Sequence, residues 1–88
     1  MRLNRAELAH VYEVALTTID AWVRRECPRI SAGGPGVPSV FDWEDVAYWV
    51  HMYKIGPDHS DPDEWIRASL QRARKIVAAR KKRKPKHR

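Results

Sequence analysis

No acidic residue follows Glu64 in this 88-residue chain, and cysteine occurs only once, at Cys27. A lone cysteine excludes an intramolecular disulfide and suits a reducing compartment. Glycine is held to four positions, three of them Gly33, Gly34 and Gly36. That cluster is not a P-loop, because the Lys-Ser/Thr pair that would reach phosphate and metal does not follow it. No apolar run approaches the roughly 18 residues of a membrane span, and the first residues lack the apolar core of a secretory signal. The expected place of the chain is therefore the cytoplasm, with no membrane partner. His10, His51, His59 and His87 are scattered and form no Cys/His pair at zinc spacing. The acidic stretch 58–64 looks superficially like a calcium loop but lacks its central glycine and terminal glutamate. No Ser-His-Asp or Cys-His arrangement is suggested by context. Catalysis, cofactor and metal are not expected.

The charge that is present is unevenly placed. Residues 1–64 hold all eleven acidic residues against six Lys or Arg, whereas 65–88 hold eleven Lys or Arg and no acid. A near-neutral to acidic body thus carries a strongly basic extension, and such extensions usually meet a polyanion, nucleic acid being the commonest. Four tryptophans, three tyrosines and one phenylalanine give the small body large surfaces to bury.

Read in order, the chain begins with two short helices. Asn4 and Glu7 have the spacing of a capping box, with Leu3 as a staple before the cap, and the first helix should end near Tyr12. The second starts at Thr17, where Thr17 and Asp20 repeat the box pattern, or about two residues earlier with Ala15 as a poor cap. Ala9, Val14, Ile19 and Trp22 occupy the buried positions of a helix-turn-helix. Ile19 and Trp22 lie three apart and so share one face. Pro28 forbids continuation.

Pro28 to Phe41 reads as a short hairpin, with 29–31 and 39–41 as strand candidates around the glycine cluster. After a helix-turn-helix, such a hairpin is a wing. Asp42 should cap a third helix from Trp43 to about Tyr53, with Asp45 at the box position. Its stripe of Val46, Trp49, Val50 and Tyr53 should pack on Ile19 and Trp22. A linker is expected over 55–61 and a basic amphipathic helix over 62–83, opened by Asp61, Pro62 and Glu64. Pro85 lies in a tail, 84–88, that is expected to be disordered without a partner. On this helix Ile66, Leu70, Ala73 and Val77 form an apolar stripe with Trp65 and Ile76 at its edge. The stripe offers a face for pairing two copies. The fold class expected is mainly α with a small β-hairpin: a winged helix-turn-helix over 1–54, followed by a long basic helix and tail.

Three elements suit double-stranded DNA. The outer face of the second helix offers Thr17, Thr18, Ala21, Arg24 and Arg25, where hydroxyls and a small side chain permit close approach and guanidinium groups bind guanine or phosphate. Asp20 and Glu26 weaken that surface, although Asp20 can serve the cap instead. The wing offers Arg29 and Ser31 with the backbone N–H groups of Gly33 and Gly34. The tail offers Arg72, Lys75, Arg80, Lys81, Lys82, Arg83, Lys84 and Lys86 to the phosphate backbone. If ~6 to 8 of its charges met phosphates, log K would fall against log salt with a slope of about −5 to −7.

These residues resemble the N-terminal domain of the small subunit of phage λ-type terminases. The resemblance is carried by Leu3-Asn4, Leu8-Ala9, Thr18-Ile19 with Trp22, Pro28, Gly33-Gly34 with Gly36, Phe41-Asp42, and Val46 with Trp49. It runs from Leu3 to Tyr53 and lapses beyond. The family usually has glycine where this chain has Glu13 and Glu26. The resemblance implies a winged helix-turn-helix that recognises a packaging site on DNA, a homodimer, and a large terminase subunit as partner. Phage excisionases and MerR-like regulators have similar winged domains, so excision or transcriptional regulation is the alternative. A further alternative is a non-catalytic protein that pairs with a terminase subunit and redirects or inhibits it.

Overall fold

Asn4 and Glu7 start the first helix by satisfying each other's backbone. In the computed structural model, which describes residues 1–37, 39–55 and 62–82, the Glu7 N–H donates to Asn4 Oδ1 at 2.8 Å. The Asn4 N–H returns the bond to Glu7 Oε1 at 2.9 Å. Helix α1 runs Arg5–Tyr12 and stops where Glu13 turns left-handed, at φ 55° and ψ 47°. Helix α2, Leu16–Arg24, takes the earlier of its two possible starts, with Ala15 as an N-cap that has no side-chain acceptor. The Thr17–Asp20 box does not form, because Asp20 is held by Arg5 instead, at 2.6 and 2.9 Å.

A strand that the sequence pattern does not reveal precedes α1. β1, Arg2–Asn4, pairs antiparallel with β2, Val40–Asp42, in the register Arg2↔Asp42, Leu3↔Phe41 and Asn4↔Val40. Leu3 and Phe41 face each other in the core and are essentially unexposed. The pairing expected between 29–31 and 39–41 survives as one bridge, Ser31↔Val40. Beyond it, Gly34 and Val37 exchange N–H···O bonds of 2.9 Å across Pro35-Gly36. Gly36 sits at φ 76°. Proline followed by a positive-φ glycine is the signature of a type II turn, in which only glycine is unstrained at the second place.

Asp42 caps α3, Trp43–Met52, by accepting from Glu44 N–H rather than from Asp45. Trp43, Val46, Ala47, Trp49 and Val50 are buried, whereas Tyr53, expected on the same stripe, is 68 % exposed. Helix α4 runs Pro62–Lys82; its expected cap, Asp61, and the tail beyond 82 lie outside the described residues. The result, among the described residues, is a mainly α fold of four helices with one small two-stranded antiparallel sheet.

The core is an aromatic spine that touches every helix. Trp65 of α4 meets Tyr12 of α1 at a ring separation of 5.0 Å. Tyr12 meets Trp22 of α2 edge-on at 5.5 Å, and Trp22 meets Trp49 of α3 at 5.9 Å. Such tilted and edge-on pairs each add ~0.5–1.5 kcal/mol beyond the area they bury. The packing of α3 on Trp22 follows the sequence expectation.

α4 closes this core instead of leaving it. It runs antiparallel to α1: Trp65 Nε1 donates to the Tyr12 carbonyl at 3.1 Å, and Arg72 donates to the Val11 carbonyl at 2.9 Å. At its other end, Arg80 donates to the Arg2 carbonyl at 2.8 Å and also pairs with Glu7. A helix leaves its last four carbonyls without intrahelical partners. In α1 the Glu13 N–H serves those of Ala9 and His10, and α4 serves those of Val11 and Tyr12. The pairing role given to the stripe therefore needs correction. Trp65 and Ala73 are buried in this chain's own core, and Ile66, Leu70 and Ile76 pack against it half-buried, as is Val77. The seam of α4 is rotated towards Trp65, Ser69, Ala73 and Ile76, so little of the apolar face remains for a second copy. Ser69 sits in it fully buried, accepting from Trp43 Nε1 at 2.9 Å and donating to the Ile66 carbonyl.

Candidate nucleic-acid interface

The outer face of α2 is set by what its inner face buries. Ile19 and Trp22 are turned into the core, which leaves Thr17 and Arg24 on the opposite side, exposed, with Ala21 half-buried beside them. Thr18 is half-buried at the edge, and Arg25, fully outside, ends the helix as its C-cap. Thr17, Thr18, Ala21 and Arg25 line an open groove of about 500 Å³, whose remaining wall includes Val14 and Ile55. Four of the five residues singled out on this helix thus line one groove, and Arg24 is exposed outside it, on the side of Thr17.

Its charge is more favourable than the composition suggests. Asp20, the acid within the helix, is occupied by the two-bonded Arg5 guanidinium. That hydrogen bond holds the Asp20 carboxyl below its usual range. Bidentate Arg–carboxylate geometry is the strong form of such a pair. Arg24 and Arg25 have no ion-pair partner among the described residues. Glu26 follows them exposed, at φ 67°. Because Ala15 has no acceptor, the first-turn N–H groups of α2 lack the side-chain cap that α1 has, and uncapped N–H groups at a helix start attract anions.

The residues expected of a wing are placed less uniformly. Arg29 is exposed, as are Gly34 and the tip residue Val37, and Gly33 is half-buried at φ 77°. The Ser31 hydroxyl accepts from Gly33 N–H at 3.3 Å and so is partly used inside the loop, as is the Gly34 N–H, which donates to Val37. Ser39 fastens the returning strand to the Ala32 carbonyl at 2.7 Å. Ile30 begins six residues after Arg24, so the base of the loop lies within about 20 Å of the end of α2.

Among the tail residues, two are not free. Arg72 bonds to Val11 and pairs with Glu13 at 3.0 Å, while Arg80 bonds to Arg2 and Glu7. These two cations fasten α4 to α1, which corrects their assignment to a tail on the phosphate backbone. Lys75 is exposed. Nearby, Arg67 and Arg74, absent from the residues that sequence reasoning singles out, are exposed too and have no ion-pair partner among the described residues. Helical spacing from the buried Ala73 is the signal that finds them. The side chains of Lys81 and Lys82, and all of Arg83, Lys84 and Lys86, lie outside the described residues.

Among the described residues, other chemistry finds no constellation. Cys27 is buried, and burial pushes its thiol up to about 12, which removes the thiolate that reactivity needs. Burial also pushes the Tyr12 phenol far above its ordinary value, and its hydroxyl has no hydrogen-bond partner among the described residues, the nearby Ser69 hydroxyl being engaged by Trp43 and Ile66. Among the described residues no group of three His, Cys, Asp or Glu is placed to hold a metal ion. No described helix is long and apolar enough to cross a membrane. No family model, curated protein or solved structure matches the chain.

Proposed function

We propose that this protein is a small winged helix-turn-helix protein of a phage or mobile element that binds double-stranded DNA sequence-specifically in the host cytoplasm. The biological role proposed is recognition of a packaging site, in the manner of a terminase small subunit. The observation that carries the reading is the outer face of α2, where Thr17, Ala21, Arg24 and Arg25 stand together with the helix's one acid already neutralised by Arg5. In the proposed mechanism α2 enters the major groove. Thr17 and Ala21 allow close approach near its N-terminal end, while Arg24 and Arg25 take guanine or phosphate. A phosphate is received at the uncapped start of α2, and the loop carrying Arg29 lies along the neighbouring minor groove or backbone. The basic residues beyond α4 add attraction that does not depend on sequence.

Two variants separate these contributions in an anisotropy titration with duplex DNA. Arg24→Ala loses preference for the target duplex by ~1–3 kcal/mol and leaves the salt slope nearly unchanged. Truncation before Lys81 weakens all duplexes alike and flattens the slope by about 0.9 for each phosphate no longer neutralised. Tandem binding at an attachment site, instead of a packaging site, would place the same fold among excisionases or regulators.

A second reading rests on a different surface. The outer side of α3 exposes Tyr48 and Met52 beside Glu44 and Asp45, a mixed aromatic and acidic face suited to protein contact. In that reading the chain pairs with a terminase subunit and redirects it. Capture of that subunit, with no duplex binding at moderate salt, would favour it over the first.

A further inference from the structure

We propose that the outward side of α4 is a second duplex-binding surface, so that one copy of this chain joins two segments of double-stranded DNA. The proposal rests on the reading of α2 as the first such surface and adds the partner of the other side. Helix α4 buries Trp65, Ser69 and Ala73, and the opposite side of the same helix carries Arg67, Arg74 and Lys75, all exposed. None of the three has an ion-pair partner among the described residues. The acids of α4 are confined to its first turn, at Asp63 and Glu64, four and three residues before Arg67, so Arg74 and Lys75 have no acid within a turn of them on their own helix. Arg67 and Arg74 are two turns apart, ~10 Å along the axis, a spacing that spans neighbouring phosphates of one strand.

This row is not a loose arm. Arg72 and Arg80 spend their guanidinium groups on the carbonyls of Val11 and Arg2 and on Glu13 and Glu7, which fixes the rotation of α4 on α1. A fixed rotation presents Arg67, Arg74 and Lys75 outward as a rigid stripe.

The position of the stripe argues for a second segment of DNA. α2 is tied to α1 through Arg5, and α4 is tied to it through Glu7. Residues two apart on an α-helix point roughly 200° apart. α2 and α4 therefore hold α1 from different sides, although the Tyr12 ring of α1 is touched by both Trp22 and Trp65. The outward stripe of α4 is thus a surface distinct from the outer face of α2, left uncovered by a duplex seated there.

The test uses the full chain and two copies of one duplex, one bound to beads and the other fluorescent and free. Wild-type protein should hold the fluorescent duplex on the beads. The variant Arg67→Ala/Arg74→Ala should bind the bead duplex yet retain at least ~10-fold less of the fluorescent one, since leaving two phosphates without their cations lowers affinity by more than that at about 0.1 M salt. If the wild type binds the bead duplex and retains no second one, the proposal is overturned while the α2 reading stands. If the Arg67→Ala/Arg74→Ala variant retains as much as the wild type, the bridge runs through another surface, such as paired copies, and the proposal is likewise overturned. If the wild type does not bind the bead duplex at all, the α2 reading fails, and this proposal falls with it.

Discussion

Replacing Trp65 by alanine tests whether α4 belongs to the core. The indole is 8 % exposed, packs on Tyr12 at 5.0 Å and donates to the Tyr12 carbonyl at 3.1 Å. Truncating a buried tryptophan to alanine costs about 3–5 kcal/mol, and a carbonyl left unpaired in the interior costs ~1–3 kcal/mol, part of which is already within the first figure. A loss near ~4 kcal/mol is therefore expected, against a total of roughly 4–13 kcal/mol for a chain of this size. Each kcal/mol moves the melting point of such a domain by about 4–8 °C. Trp65→Ala should thus melt at least ~15 °C below wild type by circular dichroism, or fail to fold at all. Arg67→Ala, two residues on but exposed, is the control and should stay within ~4 °C. A Trp65→Ala protein that melted within ~3 °C of wild type would refute the packing described for α4. The basic helix would then be a separate appendage.

Two other substitutions read finer features. Glu26 holds a left-handed backbone, φ 67°, while fully exposed, so Glu26→Gly should stabilise the protein by about 0.5–1 kcal/mol in urea titrations; a loss of stability would contradict the strain argument. At Glu7, burial works to raise the carboxyl, but bonds from the Arg80 guanidinium and the Asn4 N–H outweigh it and leave it below its ordinary 4.5. A carboxyl lowered in the folded state stabilises the fold above its unfolded value and ceases to do so as pH falls through its folded value. Stability should hold above the ordinary carboxyl value and decline as pH falls below it, and Glu7→Gln should make that decline shallower in urea titrations carried from about pH 5 down to about pH 3. An unchanged pH slope would mean that Glu7 does not carry the decline.

How far the sequence could be read depended on how local the cause was. The Asn4–Glu7 box, the end of α1 near Tyr12 and a glycine-rich turn over 33–36 are decided within a few residues, and each is visible in the order of side chains alone. Strand β1 is too short to announce itself. Its pattern, Leu3 inside with Arg2 and Asn4 outside, becomes a strand only because Phe41 supplies a partner far along the chain. α4 was legible as a helix but not as a lid. A polar Ser69 and the guanidinium groups of Arg72 and Arg80 occupy its seam, and each is tolerated because a specific partner waits at Trp43 or along β1 and α1. Such partners are set by long-range packing. The same holds for the candidate interface: the α2 face follows from helical spacing, whereas the neutralising of Asp20 by Arg5 depends on how α1 and α2 cross. Glu13 and Glu26 both adopt the left-handed conformation that glycine favours.

The proposed function stands or falls on whether the α2 face reads a DNA sequence. Tight binders can be selected from a randomised duplex pool, and the enriched duplex then titrated in competition with a scrambled one at physiological salt. An enriched motif should emerge, bound at least ~10³-fold more tightly than the scramble, with Arg24→Ala giving back ~10-fold or more of that preference. Recovery of no motif, or equal affinity of the intact protein for enriched and scrambled duplex, would contradict sequence reading by α2.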